Sequence, residues 1–476
     1  MLLNAFRDKS AIESWIWERT SVPSGEFVNP LFFRFNWPIL AENRLFSALR
    51  EAAALLLTKK KSILVDKYYD LTQFRGWRRG VSEECRRGVG PAERMISDAR
   101  KAMTTIDRPL EMLRPAMVRF GEGTIGALAE WIAEKGIRRP FIVSDAFNAT
   151  RTDLLKISGT TVFSKVMPEP DLTNLEDAVS AAEKAEPDAI IGFGGGSAMD
   201  LAKLVAVMVG SGKALSDISG PHRAPPRKVA LIQIPTTAGT GSEVGTRALI
   251  TDPKTMNKVA TESRHMLADL AIVDPGLTIT VPAAITAATG VDAMAHCVEA
   301  FTSKRSHPII DTYALEGTKL VGRFLARAVK DGSDVEARAG LSLAAFYGGV
   351  CLGPVNTTAG HAVSYPLGTR HKIAHGIANA LIFPHVLAIN FDAVPEKTKL
   401  VCAALGFAAD TREEVFAGAY AFCKGLGLDM TLSGHGVPES DLSAMAEEAH
   451  AIRRLLDFNP KDLSVADILA IYKAAY

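Results

Sequence analysis

From Arg114 onward, short runs of consecutive apolar residues alternate with stretches whose apolar positions recur at helical spacing. Residues 141–145 (Phe-Ile-Val-Ser-Asp) are a strand-like run, preceded by an amphipathic segment at 125–134. Residues 161–163 form a second short strand, followed by a helix at 175–185. Residues 189–193 run straight into three glycines and then a helix at 199–209, and 229–234 is another apolar strand closed by Pro235. Strands that are apolar throughout are buried on both faces, which predicts a parallel sheet covered by helices on each side.

After Pro282 the pattern changes. Strand-like runs become rare and Ala-rich amphipathic segments take over, among them 283–303, 335–345 and 442–455. The prediction is a Rossmann-like α/β region over 111–281, then an all-helical region over 282–476. There is no internal repeat and no low-complexity tract.

Residues 1–110 read differently. They hold 19 Lys and Arg against 13 Asp and Glu, and four of the five tryptophans (Trp15, Trp17, Trp37, Trp77). Arg75, Arg78, Arg79, Arg86 and Arg87 around Trp77 resemble a nucleic-acid patch. The blander reading is stronger: an N-terminal extension of unknown role, or an upstream start, with Met95, Met103 and Met112 as alternative starts.

Composition narrows the classes. A chain of 476 residues exceeds one typical core, so two or three domains are expected. Apolar content of 47% and charged content of 22% are those of an ordinary soluble protein. A net charge of +1 gives no electrostatic case for nucleic acid or a membrane surface. Cys85, Cys297, Cys351, Cys402 and Cys423 are scattered with no Cys-x-x-Cys pair, which suits reduced thiols. No apolar run reaches membrane-spanning length and the start lacks a signal-peptide core, so the cytoplasm is the expected location.

Candidate chemistry lies in both halves. Asp292 and His296 stand four apart in a helical run, so both side chains leave one face. A carboxylate and an imidazole are ordinary ligands for a divalent first-row metal, and His361 and His375 would complete one oxygen and three nitrogens. Such a pair also arises by chance on helices; the glycines and proline around these residues give the combination its weight. Upstream, Gly194, Gly195, Gly196 and Ser197 depart from the Gly-x-Gly-x-x-Gly fingerprint, because Ser197 replaces its last glycine. A strand, three glycines and a helix still build an anion site from free backbone N–H groups. The loop at 236–243 is dense in hydroxyls and sits where α/β sheets bind ligands. Asp145 ends the first of these strands. A carboxylate there accepts hydrogen bonds from an adenosine ribose and repels a 2′-phosphate, favouring NAD over NADP; a routine cap is the competing reading.

In combination these motifs resemble the iron-containing (group III) alcohol dehydrogenases. The resemblance is carried by Gly-Gly-Gly-Ser-Ala-Met-Asp at 194–200, Pro-Thr-Thr-Ala-Gly-Thr-Gly-Ser-Glu at 235–243 and Val-Asp-Pro at 273–275. Thr-Gly-Val-Asp-Ala-Met-Ala-His-Cys-Val-Glu-Ala at 289–300 and the segment from His361 through His375 to His385 complete it. It runs from about Arg114 to the C-terminus and implies a dehydroquinate synthase-like fold. It further implies a metal held by Asp292, His296, His361 and His375, with Fe2+ the usual occupant and Zn2+ suited to the same ligands. Gly194, Gly195, Gly196 and Ser197 are implied to hold the cofactor pyrophosphate, with Asp200 opening the next helix. Thr236, Thr237 and Ser242 are implied to lie near the pyrophosphate, ribose and nicotinamide, with Lys258 on the same face. The implied activity is NAD-dependent interconversion of a small primary or hydroxyacid-type alcohol with its aldehyde or ketone, the metal acting as Lewis acid. A homo-oligomer without nucleic-acid or membrane partners is the expected assembly.

One position departs from the family. Tyr365 sits where many members carry a histidine beside the substrate. A phenol is a far weaker base near neutral pH, so Tyr365 is a candidate hydrogen-bond donor, with water as the other proton carrier. His371 reads as a supporting or surface residue, and His222 and His385 as structural. Three alternatives remain open: a hydroxyacid-oxoacid transhydrogenase that retains its nicotinamide, a dehydroquinate synthase-like lyase or sugar-phosphate dehydrogenase, and a non-catalytic scaffold. The absence of basic residues between Pro282 and Thr302 counts against the lyase and the sugar-phosphate enzyme.

Overall fold

The computed structural model describes residues 107–253 and 258–476; the Trp-rich basic segment and the arginines around Trp77 lie outside them. The described residues lie within one compact unit. The strands among the described residues are β1 (Met117–Phe120), β2 (Pro140–Ser144), β3 (Thr161–Phe163), β4 (Ala189–Gly194), β5 (Gly220–Pro221), β6 (Ala230–Pro235), β7 (Arg247–Thr251), β8 (Lys258–Glu262) and β9 (Leu270–Val273). Six of them build a parallel sheet in the order β1-β9-β6-β4-β2-β3. The other three form a small sheet, with β7 antiparallel to β8 and Thr251 opposite Lys258.

The uniformly apolar strands are buried on both faces because helices cover both. Three helices do most of this: α1 (Ala127–Glu134), α2 (Leu172–Ala185) and α3 (Gly196–Met208). Alternate residues face opposite ways along a strand. Phe141, Val143, Ile190 and Leu231 therefore join α2 and α3 on one side, while Ile142, Ile191, Ile232 and Ile272 meet Leu128 and Trp131 of α1 on the other. Helix α2 begins earlier than the apolar pattern suggests, because the Asp171 carboxylate accepts the Asn174 N–H at 2.9 Å and caps it.

The parallel sheet followed by helices is the fold class expected. Strands β1, β7, β8 and β9 do not stand out in the apolar pattern. β9 is only four residues long, and β1 is largely exposed at a sheet edge and owes its place to pairing with β9. Beyond β9 no strand occurs among the described residues. Helices α4 (Ala283–Thr302), α5 (Pro308–Lys330), α6 (Val335–Leu352), α7 (Ala359–His371) and α8 (His375–Phe391) carry the centre of the second half, with α4 packed against α5, α6 and α8. The segment expected as one helix over 442–455 divides into Leu442–Ala451 and a short turn Arg453–Leu456, broken at Ile452. Cys297, Cys351, Cys402 and Cys423 are buried free thiols, and Cys85 lies outside the described residues. No described helix is long and apolar enough to cross a membrane.

Candidate metal and cofactor site

Helix α4 presents Asp292, His296 and Glu299 from one face, at spacings of four and three. His361 is the third residue of α7 and His375 the first of α8, so the candidate ligands come from three helices. Two glycines permit this convergence. A β-carbon on Gly360 would fall 2.5 Å from Glu299 Oε1, and one on Gly376 would fall 2.1 Å from the Ala288 carbonyl oxygen. A larger residue at Gly376 would meet the α4 backbone and push His375 away from it, and one at Gly360 would displace the Glu299 carboxylate that holds His361.

Asp292 is the hub. Its Oδ1 lies 3.4 Å from His375 Nε2, 3.6 Å from His361 Nε2 and 3.7 Å from His296 Nε2. The ligand atoms of Asp292, His361 and His375 all fall within 4.8 Å of one another. His296 stands beside this trio with its ring stacked on His361 at 4.8 Å between centroids. Asn379, one turn beyond His375, donates from Nδ2 to Asp292 Oδ1 at 2.8 Å.

Burial and charge act together here. Burial alone would raise the Asp292 pKa, but His296, His375 and His361 outweigh it and hold the carboxyl far below its ordinary range. Burial pushes His296 down to about 4 against the pull of Asp292, and lowers His375 as well. Burial also works against a charged His361, yet Glu299 and Asp292 raise it well above its usual value. His361 Nδ1 meets Glu299 Oε1 at 2.6 Å, which directs its Nε2 toward Asp292.

This donor set fits a divalent cation. A buried carboxylate faces three imidazoles, with one side-chain N–H donor from Asn379 among the described residues. The mixed oxygen and nitrogen donors are those of Fe2+ or Zn2+ sites, and the carboxylate–histidine contact through Glu299 is the usual support of a metal-binding imidazole.

The sheet supplies the second half of the site. Strand order reverses between β2 and β4, the kind of switch point where open α/β sheets bind ligands. Asp145 follows β2 and lies beside Gly194: its Oδ2 stands 3.1 Å from the point a β-carbon on Gly194 would occupy. Its Oδ1 accepts the Asn148 N–H at 2.9 Å, so the carboxylate also caps the turn Ala146–Ala149. Gly195, Gly196 and Ser197 are half-buried at the start of α3, which has no side-chain cap, leaving N–H groups of its first turn free for an anion. Thr236 is buried and donates its N–H to the Gly194 carbonyl at 2.9 Å, while Thr237 flanks Gly195. Asp200 and Ser242 are bonded to each other: Ser242 Oγ donates to Asp200 Oδ1 at 2.5 Å and accepts from Lys203 Nζ at 2.7 Å. Lys258 donates to Thr251 Oγ1 at 2.9 Å and pairs with Glu169.

The two halves meet. A β-carbon on Gly239, in the loop after β6, would fall 2.9 Å from Thr289 Cβ, three residues before Asp292 on α4.

The family models match this chain in two adjoining stretches: iron-containing alcohol dehydrogenase over residues 115–275, and the C-terminal region of the same family over 286–476. The chain belongs to the iron-containing alcohol dehydrogenase family. It is an oxidoreductase acting on alcohols. It is 35% identical over 379 residues to long-chain-alcohol dehydrogenase 1 of Geobacillus thermodenitrificans, spanning 76% of this chain and 95% of that protein. The solved structure of a 1,3-propanediol oxidoreductase matches with 30% identity and a TM-score of 0.73, over 78% of this chain and all of that one. A sulfoacetaldehyde reductase from Bifidobacterium kashiwanohense, solved in complex with NAD+, matches with 27% identity and a TM-score of 0.71, over 77% and 99% of the two chains.

Within this family member, Tyr365 stands edge-on to His361 at 6.3 Å and 5.9 Å from His375, between centroids. The Arg454 guanidinium lies over its ring at 5.8 Å. His371 turns away to Asp441 at 3.4 Å, His385 packs on Phe416, and His222 sits in a left-handed bend. Sequence reasoning missed Glu299 and Asn379. Their signal was spacing: Glu299 follows His296 by three and Asn379 follows His375 by four, each on the face its histidine uses.

Proposed function

We propose that this enzyme interconverts a small primary or hydroxyacid-type alcohol with its carbonyl product, using NAD(H) and a divalent metal. The observation that carries the reading is the buried convergence of Asp292, His361 and His375, flanked by His296, next to a glycine loop at a sheet switch point. Asp292, His296, His361 and His375 are the proposed ligands, with Fe2+ as occupant and Zn2+ as the other metal that suits them. Bound there, the cation supplies Lewis acidity toward the substrate oxygen, and the nicotinamide carries the hydride.

The chain's own residues do the rest. Gly194, Gly195, Gly196 and Ser197 bind the pyrophosphate through backbone N–H groups, and Thr236 and Thr237 close over it from β6. Asp145 receives the adenosine ribose and disfavours a 2′-phosphate, which is the basis for NAD rather than NADP. The Asp200–Ser242–Lys203 network holds the second loop in shape, and Lys258 meets the cofactor from β8. Glu299 fixes the His361 ring. Tyr365 walls the pocket beside His375 and offers its hydroxyl as a proton donor.

The test is a screen of metal-loaded enzyme against short alcohols and aldehydes, followed by NADH absorbance. Turnover with Fe2+ or Zn2+ that stops on chelation supports the reading. Turnover of a hydroxyacid and an oxoacid together, with no added nucleotide, would replace it with a transhydrogenase. No turnover with any alcohol or aldehyde would sink it.

A further inference from the structure

The turn that follows β2 carries an aromatic ring with no role in the site so far. Phe147 is 57% exposed, more than any other large apolar side chain among the described residues. The Arg151 guanidinium backs one face of the ring, 5.4 Å from its centroid. That cation is anchored at both ends. Its Nη1 donates to Asn148 Oδ1 at 3.2 Å, and its Nη2 to the Leu277 carbonyl oxygen, in the turn after β9, at 3.4 Å. A fixed cation thus lies behind the ring, and the opposite face is left to solvent.

Contacts tie this ring to the glycine loop. Asn148, one anchor of Arg151, donates from Nδ2 to Asp145 Oδ2 at 2.7 Å. Asp145 Oδ2 stands 3.1 Å, and Asn148 Nδ2 3.9 Å, from the point a β-carbon on Gly194 would occupy. Gly194, Asp145, Asn148, Arg151 and Phe147 are therefore one continuous assembly at the carboxyl ends of β2 and β4. An open aromatic face is held at the border of the switch point, where sheets of this kind bind ligands.

We infer that Phe147 is a cofactor-binding residue whose open face stacks on the adenine base of NAD(H). This rests on the NAD reading and extends it from the ribose to the base. Adenine is joined directly to the ribose that Asp145 receives, so the base must lie within one sugar's width of that carboxylate. Phe147 stands two residues further along the same turn. A nucleobase presents a flat π face, and both that face and the exposed ring leave water when they stack. Such a contact contributes about tenfold or more in affinity.

The experiment compares full-length wild type with F147A, with F147L, which keeps an apolar side chain but no π face, and with F147W. Calorimetry measures affinity for NADH, for AMP, and for reduced nicotinamide mononucleotide, which lacks the adenosine. The expected result is a loss of about tenfold for NADH and AMP in F147A and F147L, recovered in F147W. Affinity for the mononucleotide should stay within about twofold throughout, since no base reaches Phe147. NADH and AMP binding that is indifferent to F147A overturns the inference and leaves the NAD reading in place. An equal loss for the mononucleotide also overturns it, because the substitution would then have disturbed the glycine loop rather than a base contact. A selective loss in an enzyme that turns over no alcohol or aldehyde would keep the adenine platform and discard the dehydrogenase reading.

Discussion

Glu299 Oε1 lies 2.6 Å from His361 Nδ1, and its Oε2 accepts the backbone N–H of Thr358 at 2.5 Å and of His361 at 3.3 Å. One buried carboxylate from α4 thus fixes both the ring and the backbone of a residue on α7. Replacing it with glutamine, Glu299→Gln, keeps the shape and removes the charge that supports the imidazole. Metal affinity should fall by about 10- to 100-fold. Competition against a chromogenic chelator reads this directly, and unchanged affinity would mean that the Glu299 contact only packs the helix.

The four proposed ligands should act as a unit. His296→Ala or His361→Ala should lose most bound metal by elemental analysis and most activity, with an unchanged circular dichroism spectrum. Chelation of the wild type should lower Tm, since a ligand bound only to the folded state stabilises it by about 2.7 kcal/mol at a hundredfold excess over Kd. Full metal content in either variant would show that the site is misassigned.

Asp145→Gly tests cofactor choice. Glycine is tolerated as a cap at a cost of about a few tenths of a kcal/mol, so the turn Ala146–Ala149 should survive. The ratio of kcat/KM for NADP over NAD should rise about tenfold or more as the 2′-phosphate meets no carboxylate. An unmutated enzyme that prefers NADPH would defeat the assignment.

Tyr365→Phe removes one hydroxyl and leaves the ring beside His361 and His375. If that hydroxyl donates a proton in the transition state, the hydride-transfer rate should drop by about 10²-fold. A rate equal to wild type, measured where hydride transfer limits, would leave Tyr365 a wall of the pocket.

Glu243 gives a stability prediction independent of turnover. Burial raises its carboxyl to about 7, against Lys203 and its own backbone N–H, from an ordinary 4.5. Between those values the folded chain keeps a proton that the unfolded chain has released, so stability falls as pH rises through this window. Glu243→Gln removes the effect. Relative to that variant, wild type should lose about 3 kcal/mol between pH 4.5 and 7.5 in denaturant melts. Parallel curves for the two proteins would show that Lys203 already neutralises a charged Glu243.

The amino-acid sequence determined the local elements and the types of chemistry. Apolar runs such as Ile190 to Phe193, short and closed by glycines, point to strands buried on both faces, and three glycines between a strand and a helix point to an open set of backbone N–H groups, with a tight turn as the competing reading. The four-residue spacing of Asp292 and His296 is enough by itself to put both on one helix face. Tertiary structure decided what meets what. Strand β1 exists because β9 pairs with it, and Glu299 matters because α7 brings His361 against it. Helix and strand periodicities report only which face a side chain leaves. Which distant segment covers that face is set by packing of the whole chain, through close approaches such as Gly360 on Glu299 and Gly376 on Ala288.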